Sequence, residues 1–112
     1  MTIWMAGPVH AQPCVELVQW RVMRTAAGTT HLVGIREGKE TGRASSALLA
    51  FNIDRMTAQT ESGRTYQLLG GPGLAEDAAY VWQQWAIVNG VEVWEDCTAV
   101  FLAEARGRRP IR

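Results

Sequence analysis

The stretch Gly70-Gly-Pro-Gly-Leu-Ala-Glu-Asp-Ala-Ala-Tyr-Val-Trp-Gln-Gln-Trp-Ala-Ile-Val-Asn-Gly90 decides the fold class of this 112-residue chain. Its first four residues end whatever precedes them, since glycine and proline punctuate regular structure. From there Leu74, Ala78, Val81, Trp82, Trp85 and Val88 return at steps of three and four, the spacing that aligns one face of an α-helix. Glu76 and Asp77 fall in the first turn, where the helix dipole favours anions. Asn89-Gly90 supplies the left-handed residue that commonly ends a helix. The spacing predicts one amphipathic helix over 74–89.

Upstream of this helix the period is two. Val18, Trp20 and Val22 alternate with Gln19 and Arg21, which predicts a strand from Val15 with one face toward a core. Thr25-Ala-Ala-Gly-Thr29 reads as a turn, and Thr30 to Ile35 as the return strand with His31, Val33 and Ile35 on one face. The segment Arg36 to Arg43 is a charged, glycine-punctuated exposed loop. Ser45 to Ile53 is apolar on both faces and reads as a central strand buried on two sides. Asn52 to Arg55 then reverses the chain. Met56 to Thr60 and Arg64 to Leu69 form a hairpin across Glu61-Ser-Gly63, whose last residue fits the positive φ of a bulge-closed turn.

After the helix, Val91 to Ala105 admits two readings. Thr98, Val100 and Leu102 alternate as a strand does, whereas Asp96 fits the cap of a short helix; the strand is the expectation adopted here. The expected architecture is α+β: a five-strand antiparallel meander, as a curved sheet or small barrel, packed by one helix and followed by a last strand. An irregular arm (1–14) precedes the single domain (15–105), and a basic tail (106–112) follows it. Trp82 and Trp85 are expected to meet Phe51, Leu49 and Trp20 in the core.

Composition narrows the function classes. Hydrophobic residues make up 47% and charged residues 20% of the chain, an ordinary globular balance that suffices to bury a core without metal or disulfide. No apolar run reaches the length of a membrane helix. The opening Met1-Thr-Ile-Trp-Met-Ala-Gly-Pro-Val-His10 has no basic residue and does not read as a secretory signal. Cys14 and Cys97 are therefore expected as reduced thiols, and the chain as cytoplasmic in a bacterial host.

Net charge is zero but unevenly laid out. Arg21 to Arg64 holds seven bases and four acids, Thr65 to Ala105 six acids and no base, and Arg106 to Arg112 four bases. Ten of the eleven bases are Arg, with Lys39 the exception; that bias is typical of a GC-rich genome. Intramolecular pairing between the basic and acidic portions is the expected use of this layout.

Sites of chemistry are sought in vain at the level of spacing. The Gly70-Gly-Pro-Gly73 loop lacks the Lys and Ser/Thr of a phosphate cradle, and Pro72 removes an amide, so a plain strand-to-helix turn is expected. His10, Cys14, His31 and Cys97 are zinc-type residues without zinc-type spacing, so two ordinary thiols and two surface histidines are expected, with no metal and no cofactor. Ser45 and Ser46 sit in nothing like a nucleophile elbow. Glu92, Glu95 and Asp96 form an acidic stretch that faces solvent as readily as a substrate. The five tryptophans are many for the length. Trp82 and Trp85 are core by their spacing. Trp94 and Trp4 are harder to place inside, and core remains the expectation for them; either one, if exposed, is the candidate anchor for a partner, as tryptophan is enriched at interface centres. Arg36, Lys39 and Arg43 of the exposed loop are the charged candidates beside them.

The segments Thr30-His-Leu-Val-Gly34, Gly42-Arg-Ala-Ser-Ser46, Ser62-Gly-Arg-Thr-Tyr-Gln-Leu68, Gly71-Pro-Gly73 and Asp77-Ala-Ala-Tyr-Val-Trp82 together resemble a family of short uncharacterised proteins of phages and mobile elements in GC-rich proteobacteria. The resemblance covers Val15 to Gly90 and carries no catalytic residue. It implies an accessory protein that binds and disables a host defence component, in the manner of anti-CRISPR proteins. The functional expectation is thus a non-enzymatic protein-binding factor with a host protein as partner; the alternative is a nucleic-acid-binding small β-barrel using the basic half and the Arg tail.

Overall fold

The alternation that opens the domain breaks once, and the break organises what surrounds it. The protein, described here from a computed structural model, is defined over residues 14–39, 41–73 and 75–107. Its first strand, β1 (Cys14–Thr25), buries Val15 and Leu17 and then Trp20 and Val22 in the same core. A strand of strict period two cannot do this, so the phase shifts between Leu17 and Trp20. On β2 (Thr30–Arg36), Ile35 pairs with Val18 and Val33 with Arg21, leaving Gln19 and Trp20 together opposite Gly34. This is a β-bulge. Gln19 takes φ 51° there, a left-handed conformation costing about 1 kcal/mol for a residue with a side chain. The expected common face of Val18, Trp20 and Val22 is corrected accordingly: Val18 lies out of phase with the other two.

The sheet grows outward from β1 on both sides. β2 pairs antiparallel with β1 and with β3 (Gly42–Ala44). β4 (Leu48–Asn52), β5 (Thr57–Thr60) and β6 (Thr65–Leu68) form a second antiparallel run. β6 then lies parallel to the start of β1, from Cys14 opposite Thr65 to Leu17 opposite Leu68. The far half of β1 is paired instead by the three-residue β7 (Trp94–Asp96). The result is a mixed, unclosed sheet of seven strands in the order β3-β2-β1-β6-β5-β4, with β7 off that path. The expected antiparallel five-strand meander is thus met only in part. Its five strands form, but β6 closes onto β1 in parallel, a non-local pairing that neighbouring residues do not encode. The Ser45–Ile53 segment also divides. Ser45 leaves β3 with its N–H on the Leu32 carbonyl and its hydroxyl accepting the Leu32 N–H, so the chain crosses to the opposite edge before β4 begins. β4 ends the strand order, and Leu49 is 70% exposed; the expected two-sided burial does not occur.

Two helices cover opposite faces. α1 (Ala75–Val88) packs on β1, β2 and β3, while α2 (Thr98–Gly107) follows β7 and packs on β1. One core holds Val15, Leu17, Trp20, Val22, Leu32, Tyr66 and Leu68 with Phe101 and Leu102 of α2. The other holds Met23 and Val33 with Ala78, Trp82 and Ala86 of α1. Trp20 therefore does not meet Trp82. They lie on opposite faces of the sheet, and Phe51 packs edge-on against Phe101 at 4.9 Å instead.

The expected last strand is largely a helix. The three residues of β7 are all that extends, and α2 takes the rest, the second of the two readings of Val91 to Ala105. Asp96 decides this. Its Oδ1 accepts the Thr98 N–H at 3.0 Å and the Thr98 hydroxyl at 2.6 Å, while Oδ2 accepts Arg21 Nε–H at 2.8 Å. The Thr98 Oγ1 in turn accepts the Val22 N–H. A helix start is therefore fastened to the middle of β1. The predicted turns hold: Asn52 Oδ1 accepts the Asp54 and Arg55 amides, and Gly63 takes φ 90° in the β5–β6 turn.

The Gly70–Gly73 loop is locked onto the bulge. Trp20 Nε1–H donates to the Gly70 carbonyl, Gly73 N–H to the Trp20 carbonyl, and Arg21 to the Gly73 carbonyl. A β-carbon at Gly73 would lie 2.6 Å from Gln19 Cα. We expect Gly73→Ala to lower the unfolding free energy by about 1–3 kcal/mol, as overpacking against backbone does. Urea denaturation checks it, and a midpoint equal to wild type would show that the loop does not rest on the bulge.

Asp96 also sets a pH dependence. Burial alone raises its pKa, but the hydrogen bonds from Arg21 and Thr98 outweigh burial and hold it below the usual carboxylate value. A carboxyl lowered on folding stabilises the fold above its unfolded pKa of about 3.9 and loses that contribution as pH falls through the folded value. Asp96→Asn should therefore cost about 1 kcal/mol at pH 7. Its gap to wild type should close as denaturation is repeated toward pH 3; a constant gap would contradict the assignment.

Candidate functional site

Helix α1 has two unlike sides, and the inner one explains where the tryptophans go. Ala78, Trp82 and Ala86 repeat every fourth residue and are buried, with Val81 and Trp85 half-buried beside them. Val81 sits directly over Gly42, where a β-carbon would collide with it. Trp82 stacks on Trp85 at 4.7 Å and 23°. His31 lies against both, 4.8 Å from Trp85 and 5.4 Å from Trp82, and Trp94 meets Trp82 edge-on at 6.1 Å. This aromatic group is the seat of α1 on the sheet. The indole N–H of Trp82 has no hydrogen-bond acceptor among the described residues.

His31 is buried, not the surface histidine expected. Its Nδ1 is 2.9 Å from the Ser45 carbonyl and its Nε2 2.9 Å from the Thr29 hydroxyl, which is 2.7 Å from Thr25 Oγ1. A carbonyl only accepts, so Nδ1 donates its proton to Ser45, and Nε2 shares the second hydrogen bond with the Thr29 hydroxyl. The ring is held in place at both ends.

The outer side of α1 is different. Tyr80, Ile87 and Val88 are 69%, 76% and 83% exposed, with Gln83, Gln84 and Asn89 exposed among them. At about 100° per residue Tyr80, Gln84 and Ile87 share one arc opposite Trp82, with Val88 at its edge. Val88, expected on the buried stripe, is thereby reassigned to solvent: the inner line is set by the 78–82–86 repeat, which leaves no room for it. No charged residue occurs from Ala78 to Val91. A solvent-facing helix side normally carries charge, and beyond its first turn this one carries none.

Beyond the end of α1 lies a hollow of about 380 Å³ lined by Thr25, Ala26, Thr29, Val91, Glu92 and Val93 among others. Gly90, at φ 70°, turns the chain there, with the Val91 N–H on the Ala86 carbonyl. The Ala26 N–H donates to the Val93 carbonyl, which ties this segment to the β1–β2 turn. Val93 is 65% exposed at the rim. The surface thus runs from the helix face into the hollow.

The residues expected to contact a partner are not assembled in one place. Trp94 is half-buried in the aromatic group. Trp4 lies outside the described residues. Arg43 Nε–H donates to the Tyr66 hydroxyl at 3.1 Å with its guanidinium over that ring. Arg36 is half-buried and Lys39 exposed in the turn that follows β2. Trp94 is opposite Thr25 and Arg36 opposite Leu17, eight residues apart on β1, or about 25 Å.

The remaining chemistry-bearing residues disperse too. Ser45 is buried and spends its hydroxyl on backbone. Burial pushes the Cys97 thiol above its ordinary pKa, whereas Cys14 is exposed. Among the described residues no three of His, Cys, Asp and Glu gather as metal ligands, and no helix is long and apolar enough to cross a membrane. Arg21 pairs with Asp96, and Arg24 with Glu104 at 3.4 Å, so the basic and acidic portions do pair internally. Sequence reasoning missed the outer face of α1, although its signal, fourteen consecutive uncharged residues from Ala78 to Val91, is in plain view.

We expect Trp94→Ala to behave as a packing loss, lowering unfolding free energy by about 2–3 kcal/mol, the lower end for a large aromatic that is only partly buried. Denaturation measures this directly, and a variant as stable as wild type would return Trp94 to the candidate contact residues.

No family model matches the chain, and searches of curated proteins and of solved structures likewise return no match.

Proposed function

We propose that this chain works as a protein-binding factor whose contact surface is the outer side of α1 together with the hollow at its end, and that it carries no reaction of its own. The observation behind this reading is the exposed apolar side chains Tyr80, Ile87 and Val88 on a helix that carries no charge from Ala78 to its end, with exposed Val93 at the rim of the hollow that follows. Contiguous exposed apolar surface is unfavourable for a free protein and is characteristic of interfaces. The buried aromatic group beneath makes the helix a rigid platform, so little ordering cost is left for binding. The phage or mobile-element setting, with a bacterial defence component as the target, comes from the resemblance of Val15 to Gly90 and belongs to the same proposal. So does a cytoplasmic location.

The test places a photo-crosslinking amino acid at Ile87 and, separately, at Ser62 on the far β5–β6 turn, in a proteobacterial lysate. A discrete adduct from position 87 and none from 62 is expected. Adducts from 62 alone, or from neither, would remove the assignment. Ile87→Asp is expected to change stability by no more than about 0.5 kcal/mol, as surface substitutions do, while abolishing the adduct partner's capture. Retained binding to duplex or single-stranded DNA at physiological salt, insensitive to Ile87→Asp, would favour the nucleic-acid reading instead.

A further inference from the structure

Charge around the candidate surface selects among its occupants. From Thr65 to Ala105 every charged residue is acidic. Glu76 and Asp77 belong to the first turn of α1, and Glu92, exposed, is the one charged residue lining the hollow beyond its last turn. Arg21 and Arg24 on β1 already face Asp96 and Glu104, and Arg43 on β3 is engaged with Tyr66. The uncharged run 78–91 thus lies between acidic residues at both of its ends.

We propose that this surface takes an amphipathic segment of a partner protein, apolar along one side and basic at its ends, and that a second copy of this chain is excluded. The proposal rests on the binding reading above. Two copies packed with antiparallel α1 helices would set Glu76 and Asp77 of one against Glu92 of the other. Parallel helices would set Glu92 against its own counterpart. Like charge meets like in both arrangements. A segment with Lys or Arg at its ends reverses the sign at both places, and apolar residues at helical spacing match the arc of Tyr80, Ile87 and Val88. Charges at such a rim act chiefly as selectors of partner and accelerators of encounter.

The test uses three fluorescein-labelled helical peptides with identical Leu spacing, flanked by Lys, Ser or Glu, titrated against the full chain by anisotropy at low and moderate salt. The expected order of affinity is Lys, then Ser, then Glu. Glu92→Gln should weaken the Lys-flanked peptide roughly threefold to fivefold, the scale of one exposed ion pair, and leave the Ser-flanked peptide unchanged. Sedimentation should find a monomer at about 100 μM, far above the nanomolar to micromolar range of specific association. Equal binding of the Glu- and Lys-flanked peptides, or no effect of Glu92→Gln, overturns the charge selection while leaving the binding surface in place. A dimer dispersed by Ile87→Asp overturns the proposal in favour of a second copy. Binding of any peptide that survives Ile87→Asp, or binding of none, overturns both readings of this face.

Discussion

The bulge at Gln19-Trp20 is the constraint on which the rest of the structure depends. By inserting one residue against Gly34 it lets a twelve-residue strand feed Val15, Leu17, Trp20 and Val22 into a single core. It also turns Arg21, Met23 and their partners toward the other face, where α1 rests. Trp20 and Arg21 receive the Gly70–Gly73 loop through three hydrogen bonds, so the loop that leads toward α1 is fixed relative to the strand. The strained conformation of Gln19 persists because its neighbours over-determine it. Without the bulge, Trp20 and Val22 would fall on the opposite face from Val15 and Leu17.

From the bulge outward, β1 acts as a spine. β2, β6 and β7 all pair with it, and α2 is fastened to it through Val22, Thr98 and Asp96. The acidic and basic portions of the sequence meet along this spine, with Arg21 and Arg24 reaching Asp96 and Glu104. Charge layout that looks like a surface field in one dimension is partly an internal fastening in three. That leaves the outer side of α1 and the adjoining hollow as the place where surface chemistry is least self-satisfied.

The two sides of α1 divide labour. Inside, Trp82 and Trp85 close over His31, whose ring is held by Ser45 and Thr29, and Trp94 seals the edge. Outside, Tyr80, Ile87 and Val88 are left in solvent on a helix that carries no charge after its first turn. A stiff helix with an apolar outer side is costly for a free protein to present, and that cost is the physical basis for assigning it to recognition.

What the sequence determined by itself was local. The helix read over 74–89 and its glycine stop, the hairpin turn at Gly63, the reversal at Asn52 and the strands β1, β2, β4, β5 and β6 follow from periodicity and turn chemistry, which act over a few residues. The uncharged run of the candidate surface was equally legible, as was the possibility that Asp96 caps a helix. Only the tertiary structure decided which way each side chain faces. Val88 lost its place on the buried stripe because α1 seats on Gly42 and His31. Leu49 faces solvent because β4 ends the sheet. Trp94 became packing because β7 joined the far half of β1. Each of these depends on contacts between residues distant in sequence, chiefly the parallel pairing of β6 with β1 and the bulge that shifts the phase of β1 against β2. Such contacts are fixed by the packing of the whole chain and leave no periodic signature in any one segment.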